Sequence, residues 1–271
     1  MNLLLLKSIN FNTLLIVIGV VAVISIVFAV LIVLVSKLCL VKTDERADAV
    51  ASHLAGANCG GCGYAGCADF AKALVEGKAS LSCCGATSNE DKQEISAILG
   101  IPFDAEEKKL AVVHCAGGVN ALDKFQYVGN EGCFAQSLLQ GGSKVCSTAC
   151  LGGGSCKAIC TNHAISLKEG VAVVDRSICG SCGACVIACP KNLVELIPAS
   201  AKVYVACATK CKGKDVMGAC KVGCIGCGLC AKNCPNGAIS MLDNIAVIDY
   251  SKCSGCKICV SKCPRKCIKE F

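Results

Sequence analysis

Eight cysteines near the C-terminal end carry the strongest chemical signal in this chain: Cys224-x2-Cys227-x2-Cys230-x3-Cys234-Pro235, then Cys253-x2-Cys256-x2-Cys259-x3-Cys263-Pro264. Thiolates are soft ligands, and three at two-residue intervals with a fourth before proline is the spacing that holds paired 4Fe-4S clusters. The three close cysteines grip one cluster and the fourth crosses to the other. Cys224, Cys227, Cys230 and Cys263 are therefore expected at one cluster, and Cys234, Cys253, Cys256 and Cys259 at its neighbour. A zinc ribbon is the competing reading, but zinc takes only four ligands and leaves the third cysteine of each run without a role.

The chain also repeats itself. Residues 146–190 align without a gap with 220–264 at an offset of 74, and 20 of the 45 positions are identical, so the two segments are copies. A period of this kind governs the fold assignment. In the first copy Cys179, Cys182 and Cys185 keep the spacing, with Cys160 as the crossing ligand. The other half departs, because Gly153 stands where the second copy has Cys227. Spacing leaves Cys146, Cys150, Cys156 and Cys189 as the four thiols there, with Cys146 recruited from the position aligned with Cys220. Cys220 itself is expected to be a spare thiol or a packing residue, since the standard run already fills its cluster.

Nearer the amino terminus stands Cys59-x2-Cys62-x4-Cys67-x16-Cys84, its close members held in a glycine-rich turn. Glycines let backbone N–H groups approach cluster sulfurs and stabilise their negative charge. The same turn satisfies G-x-G-x-x-G from Gly61 to Gly66, but no strand is expected before it and Cys62 fills a variable position, so the match reads as coincidence. Twenty cysteines thus imply five 4Fe-4S clusters. Of the other eight, Cys39 reads as a packing residue beside the apolar run, and Cys83 adjoins Cys84 and could replace it. Cys115, Cys133, Cys207 and Cys220 could form a sixth site, against the local spacing usual for a metal site, while Cys211 and Cys267 have no assigned role. His53, His114 and His163 fall outside the runs, and no nucleophile elbow, phosphate loop or paired catalytic carboxylate is visible, so no catalytic residue is expected.

These thiols need elements to position them. A chain of 271 residues with 28 cysteines and no tryptophan requires either disulfides or metal. Dense runs are ligand spacing, and free thiolates persist in reducing compartments, which places the cysteine-rich part in the cytoplasm. Leu14 to Val35 is an uncharged apolar run of 22 residues, long enough at about 1.5 Å per residue to cross a bilayer and longer than a signal-peptide core. Lys37, Lys42 and Arg46 follow it, against Lys7 before it, so the positive-inside rule also puts the long C-terminal part in the cytoplasm, with a single span in the inner membrane. Helices are expected over Thr43–Leu54, Ala68–Lys78 and from Ser88, whose pairing with Asp91 is a capping-box pattern, to about Leu99. Short strands are expected over Ala164–Asp175 and Ala238–Asp249. The fold class is α+β, in five parts: an anchor over 1–40, a small helical 4Fe-4S domain over 41–100, a mixed connector over 101–142, and ferredoxin-like two-cluster modules over 143–200 and 201–271. The formal charge of +7 is not a nucleic-acid signal, because five clusters at about −2 each bring the total to roughly −3, and only 4% of residues are stacking aromatics.

The apolar run, Asn58-Cys59-Gly60-Gly61-Cys62-Gly63-Tyr64-Ala65-Gly66-Cys67, Gly141-Gly142-Ser143-Lys144-Val145-Cys146 and Cys150-Leu151-Gly152 occur in that order. Together they resemble the B subunits of Rnf ion-translocating electron transport complexes, over essentially the whole chain. The segment around Cys59 is similar to the 4Fe-4S domain shared by those subunits and corrinoid iron–sulfur proteins. The resemblance implies a cytoplasmic subunit that takes electrons from reduced ferredoxin and passes them to membrane partners, where flow to NAD drives sodium ions or protons outward. The second module is an extension that shorter members lack. The alternatives are a membrane-anchored polyferredoxin serving a hydrogenase or reductase, which the Cys59 motif disfavours, and a component of a system that reduces a redox sensor.

Overall fold

Residues 11–38, 44–103 and 107–271 are described by the computed structural model. Helix α1 (Phe11–Leu38) is a unit by itself and holds no charged residue before Lys37. Its large side chains from Leu14 to Val35 are all exposed. A helix apolar all round suits hydrocarbon rather than water, and it is long enough to cross a bilayer.

The second unit, Glu45–Phe271, begins with three helices, α2 (Glu45–His53), α3 (Cys67–Val75) and α4 (Asn89–Leu99). They close over Val50, Phe70, Leu74, Leu81 and Ile95, a small core whose loss at Phe70 alone would cost about 3–5 kcal/mol. Local chemistry sets the ends. The Asp91 N–H donates to Ser88 Oγ at 3.1 Å, and Gly100 stops α4 at a φ of +67°. The Cys67 N–H donates to Asn58 Oδ1 at 2.8 Å, so a candidate ligand is the first residue of its helix. Thr43, the expected start of α2, lies outside the described residues.

Small antiparallel strand pairs and short helices make up the rest. The first copy contains β1 (Lys109–Val113), α5 (Cys133–Leu138), α6 (Ser155–Ala158), β2 (Ile165–Lys168), β3 (Val171–Val174), α7 (Ala184–Ile187) and β4 (Val194–Pro198). The second contains β5 (Val203–Val205), α8 (Gly213–Ala219), α9 (Leu229–Lys232), β6 (Ile239–Leu242), β7 (Ile245–Ile248), α10 (Ile258–Lys262) and β8 (Ile268–Glu270). Hairpins β2–β3 and β6–β7 turn through two residues, Glu169-Gly170 and Asp243-Asn244, each pair at positive φ, as a turn matching the strand twist requires.

Strand register carries the repeat further back than the aligned cysteines. β1 pairs with β4 so that Val113 faces Val194, and β5 pairs with β8 so that Val205 faces Ile268, the residue aligned with Val194. Matching 2.7 Å bonds follow, His114 N–H to Leu193 O and Ala206 N–H to Cys267 O. Val113 and Val205 are thus equivalent but 92 residues apart, where later positions stand 74 apart. The first copy is therefore longer by 18 residues between its opening strand and α6, the interval that holds α5. The stretch expected as a connector supplies β1 and α5 to the first copy.

The copies are fastened together. His114 Nδ1 lies 2.6 Å from Val205 O, and Arg176 donates to the carbonyls of Pro198, Ala199 and Ala201, at the end of β4 and in the link to β5, at 3.0–3.1 Å. The Arg176 guanidinium also sits 3.7 Å from the centre of the Phe271 ring, which stacks on Tyr204 at 4.8 Å.

Candidate metal centres

In the second copy Cys224, Cys227, Cys230 and Cys263 line one cavity, joined by Cys267. Cys267 Sγ lies 3.5 Å from Cys263 Sγ. Hydrogen bonds from Cys267 hold Cys263 down at about 5 and Cys224 at about 6, while the Cys267 thiol is pushed far up and keeps its proton. With one S–H, Cys267 is placed to donate to one of these two sulfurs at a time. Its counterpart in the first copy is Leu193, which brings no sulfur at all. Burial raises Cys259, and the nearby charges of Cys253 and Cys256 raise it further. Cys234 packs against the same core.

In the first copy burial pushes Cys185 up to about 12, with the charges of Cys182, Cys179 and Cys160 adding to it. Cys156 is pushed up to about 11, again by burial first, and here the neighbours are Cys150, Cys133 and Cys189. Thiols with such pKa values are protonated at neutral pH, so a metal bound there must displace their protons.

Cys133 thus stands in the group where spacing places Cys146. The structure gives the reason in Gly153. A Cβ on Gly153 would come within 2.7 Å of the Cys133 backbone nitrogen and of the Gly132 carbonyl carbon. The start of α5 therefore fills the space that a cysteine at 153 would need, and the Cys133 N–H is tied down by Ser155 Oγ at 2.8 Å. Cys146 instead lines a separate cavity of about 150 Å³ with Cys115, Cys207, Cys211 and Cys220. The signal in the sequence is the glycine itself, which marks a close backbone approach as well as a missing thiol.

Cys59, Cys62, Cys67 and Cys84 line a cavity between α2 and α3, and Cys182 of the first copy lines it too. The turn needs glycine where φ is +68° at Gly60 and +88° at Gly63. Gly61 and Gly85 serve another purpose. A Cβ on Gly61 would meet the Cys182 carbonyl oxygen at 1.8 Å, and one on Gly85 the Ser181 carbonyl oxygen at 2.2 Å. The two loops are in backbone contact. Cys84 faces the cavity with its Sγ 3.2 Å from Thr87 Oγ1, whereas Cys83 is exposed. Cys39 lies outside the described residues.

Sulfur spacing bears on what these groups can hold. A tetrahedral zinc ion with Zn–S bonds of about 2.3 Å needs its sulfurs about 3.8 Å apart. Among the described residues, the one group of three or more His, Cys, Asp or Glu side chains within 4.8 Å of one another is His53, Asp91 and Glu94, where His53 pairs with Glu94 at 2.7 Å. No three described thiols approach so closely, so the groups suit a body wider than one ion, as a 4Fe-4S core is.

Comparison with known proteins bears on the same segments. Residues 54–85 match the family described as a putative Fe-S cluster, 172–195 a 4Fe-4S binding domain and 223–267 a 4Fe-4S dicluster domain. The chain is 40% identical to the B subunit of the ion-translocating oxidoreductase complex of Methanosarcina acetivorans, over 83% of this chain and 86% of the relative. It is 39% identical to the B subunit of the Na(+)-translocating ferredoxin:NAD(+) oxidoreductase complex of Acetobacterium woodii, over 95% and 78%. It is 38% identical to the B subunit of the proton-translocating ferredoxin:NAD(+) oxidoreductase complex of Clostridium ljungdahlii, over 89% and 86%.

Proposed function

Because this chain belongs to the family of B subunits of ion-translocating oxidoreductase complexes, the Rnf type, we propose that it is the electron relay of such a complex. It accepts electrons from reduced ferredoxin through its C-terminal half and delivers them, near the membrane, to partner subunits whose onward reduction of NAD drives sodium ions or protons outward. Helix α1 anchors it in the inner membrane with the cysteine-rich unit in the cytoplasm, the orientation that Lys37, Lys42 and Arg46 favour. When bound, a 4Fe-4S cluster supplies reversible one-electron transfer, with no substrate bond made or broken.

Five ligand sets fit this reading: Cys59, Cys62, Cys67 and Cys84; Cys160, Cys179, Cys182 and Cys185; Cys133, Cys150, Cys156 and Cys189; Cys224, Cys227, Cys230 and Cys263; and Cys234, Cys253, Cys256 and Cys259. Each copy is then a two-cluster module, with Cys133 in the place that spacing assigns to Cys146. The polypeptide steadies these sulfurs with backbone donors, as in Ala164 N–H to Cys160 Sγ at 3.3 Å and Leu193 N–H to Cys189 Sγ at 3.4 Å. Such bonds stabilise negative charge on sulfur and so shift its potential.

One observation carries the relay reading: three of the groups adjoin in series. Cys182 reaches the cavity of Cys59, Cys62, Cys67 and Cys84, and Cys185 in its own group lies near Cys156 of the next. An enzyme with one active centre has no use for such a row, whereas a relay requires it. The test is Cys62→Ser in the intact complex in its membrane. NAD reduction by reduced ferredoxin should fall to background while the other clusters remain reducible by EPR. Unchanged NAD reduction would overturn the path.

A further inference from the structure

Four of the thiols around the 150 Å³ cavity form two equivalent pairs. Cys115 follows β1 by two residues and Cys207 follows β5 by two, and Val113 and Val205 are equivalent by register. Their sulfurs are also held alike: Cys115 Sγ accepts from the Cys150 N–H at 3.4 Å, and Cys207 Sγ from the Cys224 N–H at 3.3 Å, Cys150 and Cys224 being aligned. Cys146 and Cys220 are the other aligned pair. A Cβ on Gly117 would lie 3.5 Å from Cys115 Sγ and 3.6 Å from Cys220 Sγ, so sulfurs of the two copies meet over one glycine. The fifth thiol, Cys211, is exposed and has no such partner in the first copy.

We propose that Cys115, Cys146, Cys207 and Cys220 hold a sixth 4Fe-4S cluster at the junction of the two copies, each copy giving two ligands. The proposal rests on the iron–sulfur reading above and extends it. Neither copy can make this site alone, which is why the thiols fall at spacings that no run in the sequence reveals. A site here also closes the row. Cys115 is bonded to the backbone of Cys150 in one module, and Cys207 to that of Cys224 in the other, so the site lies between their inner clusters. Each passage of an electron through it oxidises one neighbour and reduces the other by one electron, with no further reagent.

The test is iron content and EPR of the full-length chain purified anaerobically in detergent. Wild type should hold about 24 iron atoms, four per cluster. Cys115→Ala, Cys146→Ala and Cys220→Ala should each hold about 20 and lack the same EPR signal, and a Cys115→Ala/Cys207→Ala double variant should lose no more than either single one. A variant that failed to fold would lose all the signals, so retention of the other five separates site loss from unfolding. Cys211→Ala should match wild type. Because Cys133 and Cys146 serve different clusters, the Cys133→Ala/Cys146→Ala pair should lose about eight irons. About 20 irons in wild type, unchanged by Cys220→Ala, would overturn the sixth site and leave the other five standing. Iron near zero in wild type would overturn the iron–sulfur reading itself.

Discussion

At the scale of single residues, the proposed ligand sets separate cysteines that would hold metal from others placed to act on the holders. Cys267 belongs to the second kind, buried at 2% exposure with its one S–H within reach of the Cys263 sulfur at 3.5 Å. A donor to sulfur stabilises the reduced, more negative state. Cys267→Ala should therefore leave the iron content unchanged and move one cluster to a more negative potential, read by EPR-monitored titration. Loss of four irons would instead make Cys267 a ligand. The second copy's proposed ligands are legible in the sequence because they fall in two runs with only two or three residues between successive cysteines. Cys133, proposed for the first copy, is not, since it lies in the interval that is 18 residues longer there and sits against the bare backbone of Gly153. Spacing reads cysteines that are close in sequence, and the proposed exchange of Cys146 for Cys133 rests on residues brought together by folding.

Among the elements, the helix ends are the most legible part. Ser88, Asp91 and Gly100 bound α4 through local bonds, and both hairpins are visible as apolar stretches. Strands β1 and β5 are hidden, because each is short and pairs with a strand more than 60 residues on. The fastening between copies is equally non-local. Arg176 satisfies three carbonyls and covers the Phe271 ring, while its counterpart in the second copy is Tyr250. Arg176→Ala should destabilise the cysteine-rich unit by about 1–3 kcal/mol, from unpaired carbonyls and the lost cation–π contact. Chemical denaturation followed by loss of cluster absorbance would measure this, and an unchanged midpoint would show that the fastening lies elsewhere.

For the whole molecule, the division between α1 and the rest is the simplest to test. A chain begun at Asp44 should be soluble and still brown, since α1 is a unit by itself and none of the proposed ligands lies before Cys59. Its recovery in the membrane pellet without partner subunits would show that something besides α1 binds the bilayer. The remaining consequence concerns inheritance. Two copies within one gene are open to recombination, which tends to make them alike again. Here the exchange is blocked by shape: copying the second module's cysteine into position 153 drives a side chain into the start of α5, and removing that start to make room takes Cys133 with it. On the proposed ligand sets either change alone damages a cluster, so the halves can return to identity only by both at once, and the lineage is held to its asymmetry.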